Sequence, residues 1–263
     1  MSSEMIAAVL GTVVGAGTVI LGWLLQRFDT SRARRKELRE LIVSILDIRE
    51  DMEARIANIE GHTARFNADL RANAKRLMFL EAAHAVATAR GAEVATNEYI
   101  TLAWEFWRNS DFARARRYLE RALDVAATPY EQSTAYRNLG AYYISVGPEQ
   151  NVEYGRELYD TAFVELAEAS DPYSTYLRGY VYETWAQSEF SIGNVADGQA
   201  RATRALTLYR TLPDFYGHKQ VSLTRLATLL GSNNVSLLDL VANADESPGD
   251  VPEGGGRLTS RSS

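Results

Sequence analysis

Residues capable of acid–base or metal chemistry are sparse in this sequence. The chain has 263 residues and no cysteine, which excludes disulfides, thiolate metal sites and a cysteine nucleophile. Two groups of carboxylates have the spacing that paired acid–base catalysts use, but each group also fits an exposed helix face. These groups are Asp47, Glu50 and Asp51, and Glu165 with Glu168. The histidines are His62, His84 and His218, and the first two have no partner at a metal-site spacing.

Sequence motifs of enzymes are missing as well. The chain lacks a Gly-x-Ser-x-Gly elbow, a phosphate-binding Gly-Lys-Ser/Thr loop and a His-x-x-x-His pair. We therefore predict that the protein is not an enzyme and has no cofactor or metal. Its 28 basic and 34 acidic residues give a formal net charge of −6, so no overall positive field exists to hold nucleic acid.

A hydrophobic segment lies near the N-terminus. Residues 5–25 carry no charge, and as a helix they would span about 30 Å, the thickness of a hydrocarbon core. A cleaved signal peptide is the alternative, but the preceding residues include Glu4 and no Lys or Arg, and no Ala-x-Ala-like site follows. We therefore expect residues 1–26 to form a single-pass transmembrane helix that anchors the protein.

Basic residues follow this segment directly. Positively charged flanks of a membrane helix stay on the cytoplasmic side. These residues therefore predict that the N-terminus lies outside the cell (inner) membrane and that residues 27–263 lie in the cytoplasm. A second interpretation of the same residues is a binding site for anionic lipid headgroups. The basic residues are Arg27, Arg32, Arg34, Arg35 and Lys36.

Small residues recur four apart inside the hydrophobic segment, at Ala7, Gly11 and Gly15. Such a stripe lets two helix backbones approach closely in lipid, so it favours self-association. The alternative is that glycine and alanine are simply common in membrane helices.

Residues 27–90 have the pattern of a coiled-coil stalk. Apolar residues recur with alternating steps of three and four, and the register slips after Met52. Our preferred interpretation is one long helix that is continuous with the membrane helix and associates with further copies. The alternative is two helices that fold back near Gly61 or pack onto the downstream domain. The seam positions are Leu38, Leu41, Ile45, Ile48, Met52, Ile56, Ile59, Thr63, Phe66, Leu70, Asn73, Leu77 and Leu80.

A helix-turn-helix pattern occurs three times between residues 96 and 213. In each copy the first helix carries an aromatic residue, and the second carries a small residue that lets adjacent helices pack closely. A proline closes each copy. The aromatic residues are Phe106, Tyr143 and Tyr182, the small residues are Ala115, Gly155 and Gly198, and the prolines are Pro129, Pro172 and Pro213.

This pattern resembles the tetratricopeptide repeat family, as in the succession of Leu139, Gly140 and Tyr143 on a first helix. The repeat spacings here are longer than the family's 34 residues. The resemblance implies an all-α fold, in which residues 96–231 form an α-solenoid of about three helix pairs. Residues 221–230 would form a capping helix over the last pair.

The resemblance also implies a groove along the first helices, where the family binds peptides. Aromatic and arginine side chains dominate such interfaces, and arginine can hold a carboxylate through two hydrogen bonds. The alternative for Trp104 or Trp107 is burial in the core. Carried onto this sequence, the groove consists of Asn97, Ile100, Trp104, Trp107, Arg108, Arg137, Tyr180, Glu183 and Gln187.

Residues 232–263 are rich in Ser, Gly, Asp and Pro, and we predict a disordered tail. Within it, residues 235–241 either dock as a last helical turn or serve as a motif for a partner.

Three functions fit this organisation. We prefer a membrane-anchored scaffold or adaptor that binds a cytoplasmic protein or peptide through the groove. The second is a structural membrane protein that self-assembles through the stalk and the membrane helix. The third is a membrane effector with a helical sensor domain. The expected partners are thus a protein or peptide, the lipid bilayer and further copies of the same chain.

Overall fold

The computed structural model describes residues 31–52, 54, 62–145 and 147–235, with the backbone alone at 62–67. Over these residues the chain forms nine helices and no strand, which confirms the all-α class for this part. Helix α1 covers residues 31–52. The others are α2 (His62–Thr88), α3 (Thr96–Arg108), α4 (Phe112–Val125), α5 (Pro129–Ile144), α6 (Val152–Val164), α7 (Pro172–Ser191), α8 (Val195–Thr211) and α9 (His218–Ser232).

The chain divides into two compact units, and the division falls inside α3, between Phe106 and Trp107. Within the described ranges, no helix is both long enough and apolar enough to cross a membrane. The predicted anchor, residues 1–26 with its small residues Ala7, Gly11 and Gly15, lies outside those ranges, as does Arg27.

In the first unit the chain folds back on itself. Arg34 Nη1 on α1 donates a hydrogen bond to the carbonyl oxygen of Arg90, and Arg39 Nε donates to Glu98 Oε1 at 2.7 Å. The first two residues are 56 positions apart, and a straight helix would separate them by about 80 Å. The straight helix that we preferred for residues 27–90 is therefore wrong, and the fold-back alternative describes this unit.

The apolar seam of α1 is buried inside the chain as a consequence. Leu38 and Ile45 are each 1% exposed, and Ile42 is buried beside them. These residues cover the interior of their own unit, so they are not the contact between chains that the heptad pattern predicted. The seam of α2 differs in part, because Leu70 and Leu77 are 59% and 39% exposed whereas Leu80 is fully buried.

The second unit is a stack of helix pairs. Helix α5 packs against α6, and α7 packs against α8. Each first helix contacts the next first helix, α5 with α7 and α7 with α9. Each second helix contacts the first helix that follows, as α4 does with α5, α6 with α7, and α8 with α9. This nearest-neighbour pattern fits an α-solenoid-like topology.

Prolines begin two of the first helices. Pro129 and Pro172 occupy the first turn of α5 and α7, where a fixed φ suits the helix and the missing N–H has no intrahelical acceptor to lose. Thr128 and Glu131 form a reciprocal capping box on α5, and Asp171 caps α7 through its side chain. We expected these prolines to close a repeat, and the structure shows that each opens the next one.

Glycine at two positions allows close helix contact. A Cβ atom added to Gly155 would lie 2.6 Å from Ile144 Cγ1 and 2.9 Å from the Gly140 carbonyl oxygen. A Cβ atom added to Gly198 would lie 2.6 Å from the ring of Phe190. Both distances are shorter than atoms tolerate in a packed interior, so a side chain would push the helices apart. The predicted role of these two small residues is confirmed.

Helix α9 covers the last helix pair. Leu226 and Leu230 are fully buried in one cluster with Leu206 and Tyr209 of α8. Val235 joins the same cluster, so the chain immediately after α9 docks onto the repeats. The predicted capping helix is confirmed and is longer than residues 221–230. The predicted tail lies outside the described residues from position 236 onward.

Candidate functional site

Three first helices of the second unit bring two arginines onto one aromatic ring. Arg137 on α5 and Tyr180 on α7 each follow the proline that begins their helix by eight positions, so the packing of α5 on α7 brings them together. The Cζ atom of Arg137 lies 4.0 Å from the ring centroid of Tyr180, and the Cζ atom of Arg225 on α9 lies 4.4 Å from it. These three residues are the Arg–Tyr–Arg stack.

Arg137 is a buried cation, and none of the carboxylates in the described ranges is its partner. Its exposed fraction is 8%, and among the described residues its guanidinium forms neither an ion pair nor a hydrogen bond. Moving a cation out of water is costly unless it is paired. The ring of Tyr180 offsets part of this cost, since a desolvated cation–π contact contributes roughly 2 kcal/mol. The cost of burying Arg137 is therefore offset only in part by the described residues.

Arg225 differs because a buried carboxylate holds it. Its Nη2 donates to Glu183 Oε2 at 2.7 Å, its Nε donates to Glu183 Oε1, and the Tyr209 hydroxyl donates to the same Oε2 at 2.6 Å. Burial alone would lower the pKa of Arg225, but the Glu183 carboxylate outweighs it and raises that pKa. Burial, together with the same carboxylate, raises the pKa of Tyr209. Two guanidinium groups and one carboxylate leave the site with one net positive charge.

Aromatic rings adjoin the stack. Tyr176, one helical turn before Tyr180 on α7, has its ring centroid 6.0 Å from that of Tyr180 and 4.7 Å from that of His218. Burial raises the pKa of Tyr176, so its hydroxyl remains protonated at neutral pH. Half-buried aromatic faces beside an arginine are typical of the residues that dominate binding interfaces.

The groove residues that we predicted on α3 fall into two units. In the first, Ile100 is buried, so it is a core residue and offers no contact to a ligand. Asn97 is exposed there, and Trp104 is half-buried. In the second, Arg108 is exposed, and the Trp107 ring packs edge to face on an aromatic ring of α4 at 6.4 Å.

On α5 and α7 the structure brings three predicted residues together, namely Arg137, Tyr180 and Glu183. Glu183 is 4% exposed and binds Arg225, so it positions that arginine and does not face a ligand. Gln187 is exposed one turn farther along α7.

Sequence reasoning missed Arg225 and Tyr176. We interpreted α9 only as a cover for the last repeat, although Arg225 lies near the same position in its helix as Arg137 and Tyr180 do in theirs. An alignment of the helix starts would have found it.

The basic residues of the first unit are partly engaged within the protein. Arg32 and Lys36 are exposed on α1, whereas Arg34 and Arg35 are half-buried. Lys36 forms an exposed ion pair of 3.7 Å one turn along α1, which contributes little to stability. Among the residues that the structure describes, no group of His, Cys, Asp and Glu could hold a metal ion.

No protein-family model matches this chain, and no curated protein and no solved structure matches it either. The resemblance to tetratricopeptide repeats stays a prediction, and function is argued from the contacts of the Arg–Tyr–Arg stack.

Proposed function

We propose that this protein is a membrane-anchored adaptor whose helical repeats bind an acidic segment of a cytoplasmic protein. The observation that supports the proposal is the buried Arg137, which is held on the ring of Tyr180 without a carboxylate partner among the described residues. A ligand carboxylate would give Arg137 the charge-assisted hydrogen bonds that the described residues of its unit do not supply. Such bonds are stronger in a partly desolvated site than in water.

The size of the stack indicates the form of the ligand. It crosses three neighbouring first helices, α5, α7 and α9, and packed helices lie about 8–10 Å apart. Their side chains converge on one ring, however: the Cζ atoms of Arg137 and Arg225 lie 4.0 and 4.4 Å from the same centroid, so they are at most about 8 Å apart, which two to three residues of extended peptide cover. A short acidic segment fits this dimension.

A selection from a random peptide library tests the proposal. The baits are the full-length protein in detergent micelles and a chain that ends at Val235, each as wild type and as Arg137→Gln. Arg121→Gln is the matched control, because Arg121 is an exposed arginine of α4. We expect the wild-type and control forms of the shortened chain to enrich peptides rich in Asp and Glu. Arg137→Gln should lower that enrichment at least tenfold, and equal enrichment by this variant would contradict the proposal.

Anchoring in the membrane belongs to the same proposal. The uncharged residues 5–25 and the basic residues that follow them support it. We expect the wild-type protein in the membrane fraction, released by detergent and not by alkaline carbonate, and a variant without residues 5–25 in the supernatant. Recovery of both forms in the supernatant would contradict anchoring.

Self-assembly is a second candidate, and the exposed face of α2 favours it. Leu70 and Leu77 are exposed and seven residues apart, with Asn73 at a core-type position of the same heptad pattern. We expect Leu70→Glu combined with Leu77→Glu to lower the mass of the particle in light scattering, whereas Ala74→Glu on the same helix should not. An unchanged mass in the double variant would remove this candidate.

A further inference from the structure

The chain that follows α9 is strongly acidic. Between positions 236 and 256 it contains no Lys or Arg. The acidic residues of this stretch are Asp239, Asp245, Glu246, Asp250 and Glu253. We propose that residues 236–256, the acidic tail segment, are an intramolecular ligand of the Arg–Tyr–Arg stack and compete there with the external partner. The inference rests on the proposed function, because it assigns a competitor to the same site.

Charge complementarity supports this occupant. The stack has one net positive charge, located on the uncompensated Arg137. The adjacent pair Asp245 and Glu246 offers two carboxylates on neighbouring residues. A carboxylate that reaches Arg137 would supply the ion pair that no described residue provides. The attraction is between a partly desolvated cation and an anion that is covalently attached to the same chain.

The length of the chain allows the contact. Val235 is packed against α8 and α9, so the tail segment starts from a fixed point on the repeats. Arg225 lies ten positions earlier, and the rise of a helix puts that residue within about 15 Å of Val235 along the axis. Asp245 lies ten positions beyond Val235, and ten extended residues reach up to about 33 Å. The acidic pair therefore has the reach to arrive at the stack.

Because the acidic tail segment is tethered to the repeats, a weak contact is enough for it to occupy the Arg–Tyr–Arg stack most of the time. A short linker gives a tethered ligand an effective concentration on the order of 1 mM. A segment that binds in solution with a dissociation constant of about 100 μM would then occupy its own site about nine-tenths of the time. An external ligand would bind about tenfold more weakly to the whole chain than to a chain without the tail. Release of the tail would restore the full affinity.

A titration with a synthetic peptide of residues 236–256 tests the inference. The peptide is added to the whole chain and to the chain that ends at Val235, both in the same detergent, and binding is followed by fluorescence anisotropy. We expect about tenfold tighter binding to the shortened chain, and we expect added salt to weaken it. Arg137→Gln in the shortened chain should reduce the affinity at least tenfold, and Arg121→Gln should leave it unchanged.

Two results would overturn the inference. One is equal affinity of the peptide for the whole and the shortened chain, and the other is equal affinity for the shortened chain and its Arg137→Gln form. Circular dichroism with thermal melting of every variant checks that a lost affinity does not reflect a lost fold.

A distance measurement in the whole chain gives a second, independent readout. The sequence has no cysteine, so spin labels attach only at the two cysteines introduced by Ala200→Cys and Ser247→Cys. We expect a narrow distance distribution that broadens with Asp245→Asn combined with Glu246→Gln, or with Arg137→Gln. The same broad distribution in all three proteins would contradict tail binding.

The inference and the proposed function fail separately. If the shortened chain retained library peptides but did not bind the tail peptide, the inference would be contradicted and the adaptor function would still be supported. Binding of the tail peptide through Arg137, with no enrichment of library peptides, would keep the inference and remove capture of an external partner.

Discussion

Two arginines of the second unit, Arg156 and Arg137, differ in the partners that their guanidinium groups contact. Arg156 donates from Nε and Nη2 to the two carboxylate oxygens of Glu189, each at 2.8 Å. Glu189 is 1% exposed and also accepts hydrogen bonds from Trp185 Nε1 at 2.9 Å and from Asn194 Nδ2 at 3.0 Å. In this network the charges of arginine and carboxylate balance inside the protein.

Arg137 is more deeply buried than Arg156 and has an aromatic ring where Arg156 has a carboxylate. The ion pair of Arg156 and Glu189 joins α6 to α7, and it requires no ligand to balance its charges. A buried cation without a carboxylate partner costs stability. The comparison separates an arginine that joins two helices through a carboxylate from one that, among the described residues, packs on a ring without one.

The largest expected effect follows from removal of the arginine of the complete network. Arg156→Gln would leave the Glu189 carboxylate buried without its cation. We expect the free energy of unfolding in urea to fall by about 3 kcal/mol, the low end for one partner of a buried pair, because Trp185 and Asn194 still donate to Glu189. If the free energy of unfolding fell by less than about 1 kcal/mol, as we expect for the exposed control Arg121→Gln, Arg156 would not stabilise the fold more than an exposed arginine does. That result would contradict the contrast between Arg156 and Arg137.

Arg225→Gln should have an intermediate effect. It would leave Glu183 with a hydrogen bond from Tyr209 alone, but the Arg225 side chain is 36% exposed, so water compensates part of the loss. We expect a fall of about 2 kcal/mol in the free energy of unfolding. Weaker binding of acidic peptides should accompany it, because the variant also removes one cation of the stack. Unchanged stability would show that the Glu183 contact does not fix α9.

Acid titration of the folded protein sharpens the same comparison. Burial alone would raise the pKa of Glu189, but hydrogen bonds from Arg156, Trp185 and Asn194 outweigh it and hold the pKa below the usual 4.5. The ionised carboxylate therefore contributes stability that is present above about pH 4.5 and is lost as the pH falls through the lowered pKa. We expect Glu189→Gln to flatten the dependence of melting temperature on pH below about pH 4.5. A slope equal to that of the wild type would contradict this assignment.

The smallest expected change in stability belongs to Arg137→Gln. The variant removes a cation that no carboxylate of the described residues neutralises, and it also removes the contact with the ring of Tyr180. These effects oppose each other, so we expect the free energy of unfolding to change by less than about 1 kcal/mol. Urea denaturation beside Arg156→Gln is the measurement. A loss as large as that of Arg156→Gln would make Arg137 a structural residue.

The helix pairs of the second unit could be predicted because each leaves a local signal. Gly155 and Gly198 stand where two helices approach, and Pro129 and Pro172 mark boundaries between helix pairs, although we assigned them to the end of one pair and they begin the next. Such signals depend on a helix and its immediate neighbour. Short-range patterns of this kind are visible in one sequence.

The charged partners could not be predicted in the same way. Glu183 and Arg225 are 42 positions apart, and Arg156 and Glu189 are 33 apart, so no periodicity connects them. The heptad pattern of α1 was equally ambiguous, since Leu38 and Ile45 would show the same spacing whether they covered a second chain or their own unit. The spacing of apolar residues gives the buried face of a helix and not the identity of what covers it.

Among the described helices α9 is the last of the helix array, which has a consequence for the order in which the second unit opens. Helix α9 rests on α7 and α8, and in a linear array the terminal helix opens at a lower free energy than helices with neighbours on both sides. Amide hydrogens of α9 should therefore exchange with solvent before those of α5 and α7. Each opening would carry Arg225 away from Glu183. Hydrogen exchange in α9 would thus report how often the Arg–Tyr–Arg stack opens and re-forms.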